Sequence, residues 1–277
     1  MYKSILLYIG KSPTWQSGLR TAAALAKEHE AHLIGLACTG YVVLQAPAAS
    51  AEAFAFYPPI GYDQFRAEAH QRLREFEQAA ANYAFASVET RLVDDAAEHA
   101  LALQSRYCDL VLLASGELTQ SYPILPGRLT GHVAIHATRP VLQVPTQVAP
   151  QMDGTILIGW NGSAEASRAV GAALPLLRQA ARVQIAVLNP EHAPGRHGDD
   201  PGADIARYLA CHCEKVEVIN ERTNAHAGEA LLELARSNGA GLIVAGAYGH
   251  SRFREWVLGG TTDRLIDQNH VAVLMTH

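Results

Sequence analysis

The sequence predicts an α/β protein of two tandem domains, each built on a five-stranded parallel, doubly wound sheet. Short apolar runs alternate with amphipathic helical patterns, and this alternation implies right-handed crossover connections between parallel strands. The same order of elements occurs twice along the chain. The spacing between Gly127 and Gly259 equals the spacing between Val141 and Val273, so the ends of the two halves align without a gap. A repeat of this length indicates a duplicated domain and excludes a short solenoid unit.

The first half opens with an apolar run at residues 5–9, which ends in a turn and leads into a helix. That helix carries its apolar residues on one face, at Leu19, Ala22, Ala23 and Ala26. Further strands are predicted at 32–37, 88–93, 110–114 and 141–144, and further helices at 61–84, 95–107 and 127–137. Asp94 or Asp95 is expected to cap the helix at 95–107. Residues 38–59, rich in Ala, Pro and Tyr, are predicted to form an inserted loop that packs over the domain or a partner.

A polar, proline-containing linker at 146–153 separates a domain at 1–145 from a second at 154–277. The second half repeats the pattern of the first. Its strands are predicted at 156–160, 183–188, 216–219, 242–245 and 271–275, and its helices at 163–180, 203–212, 227–237 and 263–267. An exposed loop rich in Gly, Pro, His and Asp is expected at 191–202.

Composition excludes several classes of protein. Hydrophobic residues make up 49% of the 277 residues, enough for a sizeable core, and the net charge of −5 argues against a general binder of nucleic acids or anionic membranes. No apolar run reaches transmembrane length. The first residues lack the long apolar region and the cleavage site of a signal peptide, so a cytoplasmic protein is expected.

The four cysteines show no spacing typical of a disulfide framework. Cys211, His212 and Cys213 suggest a metal site, but zinc needs a second pair of ligands at suitable spacing. The three residues also end a predicted helix, which explains them without a metal. We therefore predict no metal site.

Residues 246–262 form a glycine-punctuated loop between a buried strand and a helix. Gly246 and Gly249 permit positive φ and close backbone approach, and Thr261 or Thr262 is expected at the helix start, where Thr is a good N-cap. Unpaired N–H groups and the helix dipole at that start attract an anion, which suggests a phosphate cradle. The alternative is a strand-to-helix turn that needs glycines for its geometry alone. The spacing fits neither the Walker loop nor the dinucleotide fingerprint.

This loop resembles that of the universal stress protein family, which carries G-x2-G-x9-G followed by Ser or Thr after its fourth strand. Gly246, Gly249 and Gly259 stand at that spacing, Gly260 replaces the residue after the last glycine, and Thr262 matches the second hydroxyl position. The stretches at 156–163 and 241–249 are also similar to the family's opening strand and fourth strand. The resemblance covers nearly the whole chain as a tandem of two such domains. It implies a Rossmann-like or flavodoxin-like fold of the adenine nucleotide alpha hydrolase type.

The same resemblance implies that the second half holds ATP, with or without Mg²⁺. The strand ends and the glycine loop meet at a switch in strand order, where open parallel sheets bind ligands. Asn161 stands where the family has an acidic residue, and an amide still donates and accepts hydrogen bonds, although Asn-Gly is also a common turn pair. Val187 lies beside the adenine by analogy or is simply core. The expected contacts are Gly159, Asn161, Val187, Ala245, Gly246, Gly249, Arg252, Gly259, Gly260, Thr261 and Thr262.

The first half departs from this pattern. Ala114 and Glu117 replace the first two glycines of the loop, Arg128 follows the last one, and Gly10 stands at the acidic position. A carboxylate at Glu117 repels phosphate, which Arg128 partly offsets. We predict that this half does not bind ATP and serves as a structural or regulatory partner.

Three functions remain open on the sequence. The first is an ATP-binding regulatory protein of the stress response. The second is a slow Mg-dependent ATPase, since only parts of the set needed for phosphoryl transfer are present and no nucleophilic triad is identified. The third is a nucleotide-free module that binds an unknown protein partner. Closing strands of the family often pair across a dimer interface, so the resemblance implies that residues 141–144 and 271–275 pair within one chain as an internal pseudo-dimer. A homodimer remains open as further assembly.

Overall fold

A computed structural model describes residues 1–40, 62–118, 128–147, 149–192, 200–248 and 260–277. Most of the predicted insertion at 38–59, much of the loop at 191–202, and Gly249, Arg252 and Gly259 lie outside these ranges. The first half contains β1 (Ser4–Tyr8), α1 (Trp15–His29), β2 (His32–Cys38), α2 (Tyr62–Ala80), β3 (Ser87–Val93), α3 (Ala97–Gln104), β4 (Leu110–Ala114), α4 (Leu129–His136) and β5 (Val141–Val144). The second contains β6 (Thr155–Gly159), α5 (Ala164–Leu177), β7 (Arg182–Leu188), α6 (Ala203–Ala210), β8 (Val216–Glu221), α7 (Ala227–Ser237), β9 (Ala240–Gly246), α8 (Thr261–Asp267) and β10 (Ala272–Thr276).

The ten strands form one continuous sheet in the order β3-β2-β1-β4-β5-β10-β9-β6-β7-β8. Neighbouring strands within each half are parallel, and β5 and β10 pair antiparallel, with Leu142 opposite Leu274. The predicted α/β class, with two five-stranded doubly wound halves, is confirmed. The closing strands pair within the chain, as expected for an internal pseudo-dimer.

Apolar residues on the two faces of the sheet form two separate clusters. The cluster beneath α1, α2, α5 and α6 includes Ile5, Leu142, Ile158 and Leu274. The cluster beneath α3, α4, α7 and α8 includes Leu6, Val141, Leu157 and Val273. Because each cluster contains strands of both halves, the core is continuous across the β5–β10 seam.

Two predicted helix caps are wrong. The helix predicted at 95–107 begins at Ala97, and its N-cap Ala96 carries no capping side chain. Asp94 is instead held by Tyr62 and Arg66 of α2, and Asp95 accepts the N–H of Ala96. These contacts come from tertiary packing and from the turn, which local sequence does not reveal.

The helix that follows the glycine loop begins at Thr261, two residues before the predicted start. Its N-cap is Gly260, which has no side chain to cap the helix. The hydroxyl of Thr262 lies inside the first turn and accepts the N–H of Tyr248 at 3.1 Å. The expected threonine cap is therefore wrong, because the threonine hydroxyl holds the loop instead.

No helix in the described ranges is both long enough and apolar enough to span a membrane.

Candidate functional site

A cleft opens at the carboxyl edge of the second half, where β6 lies between β9 and β7. The chain runs from β6 outward through β7 and β8 and returns to β9 on the other side of β6, so the strand order reverses at this point. Open parallel sheets bind ligands at such a switch. The cleft is lined by Gly159, Trp160, Asn161, Ala186, Leu188, Ala227, Leu231, Ala245, Gly246, Tyr248, Thr261 and Thr262.

The end of β6 supplies one side of the cleft. A Cβ atom at Gly159 would lie 2.9 Å from Cδ1 of Leu231, so the glycine lets α7 pack close to the strand. Trp160 follows, and its N–H donates to the carbonyl of Ala186 in β7 at 2.9 Å. The cleft therefore has an apolar wall made by α7 and the ends of β6 and β7.

Asn161 turns the chain from β6 into α5. Its Oδ1 accepts the N–H of Ser163 at 3.1 Å, and the hydroxyl of Ser163 accepts the N–H of Ala166 at 3.1 Å as the N-cap of α5. The Asn161 side chain is exposed and lines the cleft. Among the described residues its Nδ2 group makes no hydrogen bond, so a donor remains available while the oxygen holds the turn.

The end of β9 forms the opposite side of the cleft. A Cβ atom at Gly246 would lie 2.6 Å from the backbone nitrogen of Ala166 and 2.7 Å from Cβ of Glu165. This glycine therefore permits close approach of α5. Its φ is not positive, and the left-handed residue at this point is Tyr248, with φ of 53°. Of the two roles expected for Gly246, the structure shows close packing only.

The first turn of α8 closes the cleft. Gly260 precedes the helix, and Thr261 and Thr262 line the cleft with Tyr248. The hydroxyl of Tyr248 donates to Oδ1 of Asp263 at 2.9 Å, and the backbone N–H of Tyr248 donates to the hydroxyl of Thr262. Strand β9 and helix α8 are thus fastened to each other beside the cleft.

Val187 lies away from the cleft. Its side chain is fully buried in the core on the α6 face of the sheet. The cleft is lined by its neighbours Ala186 and Leu188, because successive side chains of a strand point to opposite faces. Of the predicted contacts within the described ranges, the structure brings together Gly159, Asn161, Ala245, Gly246, Thr261 and Thr262, with Gly260 next to them.

Sequence reasoning missed six residues that complete the lining. Two of them, Ala186 and Leu188, follow from the pleat of β7 once the buried face is known. Trp160 directly follows the end of β6, so the sheet topology alone makes it a candidate for the cleft lining. Ala227 and Leu231 belong to α7, and only the packing of that helix brings them to the cleft. Tyr248, also missed, stands inside the glycine loop.

The lining residues of the described ranges carry no charged side chain. Apolar groups and neutral donors of this kind suit a nucleoside more than a bare anion. Among the described residues, no group of three His, Cys, Asp or Glu side chains is placed to hold a metal ion. Cys213 is buried in the core and Cys211 is exposed, so these two cysteines point to different surroundings.

The matching edge of the first half is filled by its own side chains. A Cβ atom at Gly10 would lie 2.6 Å from Oε1 of Glu117, and the same oxygen accepts the hydroxyl of Thr14 at 2.9 Å. Burial raises the pKa of the Glu117 carboxyl, and the hydrogen bond from Thr14 opposes that shift. Arg72 donates to the carbonyls of Ile9 and Cys38 at the ends of β1 and β2.

The sequence suggested that Arg128 partly offsets the charge of Glu117, but the structure places the Arg128 side chain elsewhere. Its Nε donates to Oδ1 of Asp267 at 2.7 Å, which links α4 of the first half to the end of α8. The expectation failed because α8 packs beside α4 across the seam, a neighbour that only the ten-stranded sheet creates.

Comparison with known proteins identifies one family. A family model described as the Universal stress protein family matches the chain twice, over residues 1–145 and 152–277. Among curated proteins, Universal stress protein Slr1230 of Synechocystis sp. is 28% identical over 156 residues. That match covers 52% of this chain and 51% of the relative, so it spans about half of the relative's length.

Two solved structures share the fold over nearly the whole chain. A universal stress protein from Archaeoglobus fulgidus superimposes with a TM-score of 0.70 at 17% identity, covering 99% of this chain and 98% of that one. A functionally unknown protein from Pseudomonas aeruginosa gives a TM-score of 0.56 at 18% identity, covering 99% and 92%. The tandem arrangement of the two halves therefore occurs in other solved proteins.

Proposed function

This chain belongs to the universal stress protein family, and on that premise we propose that it is a cytoplasmic regulatory protein of the stress response that binds ATP in its second half. The proposal rests above all on one observation. The ends of β6, β7 and β9 and the first turn of α8 converge on a cleft at the switch in strand order. Family membership alone does not identify a ligand, so the argument depends on this site.

The lining residues fit an adenine nucleotide. Leu188 and Leu231 with Trp160 offer apolar surface for a base, and binding sites of this kind combine such surface with a few placed polar groups. Asn161 offers an amide donor, and Thr261 offers a hydroxyl for ribose or phosphate. Arg252 in the glycine loop is proposed to meet phosphate charge. Bound ATP would supply a polyphosphate, with or without Mg²⁺, for a partner protein to recognise.

Hydrolysis is expected to be slow or absent. Phosphoryl transfer needs a positioned nucleophile, charge stabilisation and metal ligands held in register. The described lining supplies neutral side chains, and Asn161 replaces the acidic residue of the family. We therefore propose that ATP acts as a bound signal and not as a substrate with rapid turnover.

A second candidate function is a nucleotide-free module that binds another protein. It is favoured by the packing role of Gly246, whose absent side chain is explained by α5 alone. Gly260, which replaces a hydroxyl residue of the family, points the same way. Under this alternative the glycine loop is only a turn between β9 and α8.

The test measures nucleotide in the freshly purified chain and in two matched variants. Protein is denatured and the released ligand identified by chromatography and mass spectrometry, and ligand-free protein is titrated with ATP by calorimetry. Ala227→Phe places a ring in the cleft, whereas Ala225→Phe adds the same ring at an exposed site outside it. We expect about one ATP per chain in the wild type and in Ala225→Phe, and none in Ala227→Phe. Wild-type protein that neither retains nor binds ATP would support the nucleotide-free module.

A further inference from the structure

Tyr248 connects the cleft in the second half with a helix of the first half. Tyr248 lines the cleft, and its hydroxyl lies against Gly131 in α4. A Cβ atom at Gly131 would lie only 2.6 Å from that hydroxyl oxygen, closer than real Cβ contacts come. The absence of a side chain at Gly131 therefore gives the tyrosine ring its place.

The tyrosine is held from three directions. Its N–H donates to Thr262 at 3.1 Å, its hydroxyl donates to Asp263 at 2.9 Å, and Gly131 bounds the ring on the side of the first half. Its backbone is left-handed, with φ of 53°, a conformation that costs free energy for a residue with a side chain. Such a conformation persists where surrounding contacts fix it, and here the contacts come from both halves.

The helix that carries Thr262 and Asp263 is also tied to the first half. The Nε2 group of Gln143 in β5 donates to the carbonyl of Ile266 at 2.9 Å, in a buried position. Arg128 pairs with Asp267 at 2.7 Å, at the other end of α8 from the cleft. The C-terminal end of α8 is therefore fastened to the first half, and its first turn is part of the cleft.

We infer that Tyr248 is a positioning residue through which the first half sets the shape, and so the nucleotide affinity, of the cleft in the second half. The inference rests on the proposed function for its ligand, and it gives the first half a role that its own filled edge does not provide. A shift of α4 reaches the cleft by a short route: Gly131 moves the tyrosine hydroxyl, which moves Asp263 and the first turn of α8. Coupling between two sites is the change in binding free energy at one site when the other site changes, and a contact shared by both halves can transmit such a change.

A double-mutant cycle tests the contact. Gly131→Ala adds a methyl group where the tyrosine hydroxyl lies, and Tyr248→Phe removes that hydroxyl. With the hydroxyl gone, the nearest remaining atoms are Cδ1 of Ile266 at 3.4 Å and Cζ of residue 248 at 3.7 Å, which are ordinary contacts. Gly171→Ala is the matched control, because it is also a helical glycine and a Cβ atom there meets nothing within 4 Å.

Affinity for ATP is measured by calorimetry in all variants. We expect Gly131→Ala to weaken ATP binding about ten-fold, which lies within the usual range of coupling between sites. In the Tyr248→Phe background the same substitution should cost less than about two-fold, since contacting residues are not additive. Gly171→Ala should bind as the wild type does. Equal losses in both backgrounds, or no loss in either, overturn the inference.

Hydrogen exchange gives a second readout that needs no nucleotide. The amide of Tyr248 should exchange faster in Gly131→Ala than in the wild type, because its hydrogen bond to Thr262 is strained. The rate should return towards the wild-type value in the double variant. If the wild type binds no ATP, the proposed function fails, and exchange alone decides whether Tyr248 transmits the position of α4. Unchanged exchange in Gly131→Ala would contradict that role.

Discussion

Asn161 holds the turn after β6 and is proposed to contact the ligand, and the two roles can be separated by substitution. Its oxygen holds the turn by accepting the N–H of Ser163, and the residue lines the cleft. Asn161→Asp keeps the oxygen and should leave the free energy of unfolding unchanged. Asn161→Ala loses the hydrogen bond and should cost about 0.5–1 kcal/mol. Asn161→Ala also removes every hydrogen-bonding group of this side chain, so we expect it to weaken ATP binding, as measured by calorimetry. Asn161→Asp restores the acidic residue that the family carries here, so we expect it to keep ATP binding.

The two substitutions at Asn161 also control for each other. Because Asn161→Asp leaves the turn intact, any loss of affinity in that variant reports the cleft and not the fold. Urea unfolding gives the free energy of unfolding of each variant. Wild-type affinity in Asn161→Ala would show that the side chain serves only the turn.

Glu117 should make the stability of the protein depend on pH. Burial raises the pKa of its carboxyl in the folded state above the ordinary value. The stabilisation that this protonated carboxyl contributes is therefore fully present below the ordinary glutamate pKa and is lost as pH rises through the raised pKa. Glu117→Gln stays neutral and can still accept the hydroxyl of Thr14. We expect its stability relative to the wild type to increase as pH rises from about 4 to 7.

The measurement is urea unfolding at several pH values for the wild type and for Glu117→Gln. Glu214→Gln serves as the matched control, because it makes the same chemical change at an exposed glutamate. A stability difference at Glu117 that is constant with pH would show that its carboxyl titrates alike in both states.

At the scale of elements, the packing of α5 on β9 depends on one missing side chain. A methyl group at Gly246 would meet the backbone of Ala166, which cannot rotate away. Gly246→Ala should therefore destabilise the fold by about 1–3 kcal/mol, the usual cost of overpacking. Gly171→Ala on the exposed face of the same helix should be neutral or slightly stabilising. Chemical denaturation of both variants checks the difference, and equal stabilities would show that α5 yields to the added group.

The strands could be predicted closely because parallel strands buried on both faces read as continuous apolar runs. Helix starts were harder, since Asp94 is held by side chains of α2 and Thr262 by the loop after β9. Gly246 was predicted from the spacing of the glycine loop, and Gly159 from its place at the end of the first strand of the second half. The apolar wall of the cleft could not be predicted. Leu231 reaches the cleft only through the packing of α7, and which side chains of β7 line the cleft depends on which face of the sheet lies against the core.

At the scale of the whole molecule, the halves are joined more closely than two linked domains would be. Strands β5 and β10 hydrogen-bond in the middle of one sheet, and both apolar clusters continue across that seam. This pairing was expected from the resemblance to the family, whose closing strands often pair across a dimer interface. The contacts that α4 makes with α8 and Tyr248 could not be predicted, because they join residues more than a hundred positions apart whose neighbourhood exists only after the strands pair.

A shared core predicts that the two halves unfold together. Leu142 and Leu274 lie opposite each other at the seam and are fully buried. Leu274→Ala should cost about 2–5 kcal/mol, as buried leucine truncations do, and should shift one cooperative transition to lower temperature without splitting it. Val218→Ala, on the exposed edge strand β8, should change stability by less than about 0.5 kcal/mol. Scanning calorimetry compares the measured enthalpy with the van't Hoff enthalpy, and hydrogen exchange follows each half separately. Two transitions, or faster exchange confined to the second half, would show that the seam only joins two independently stable domains.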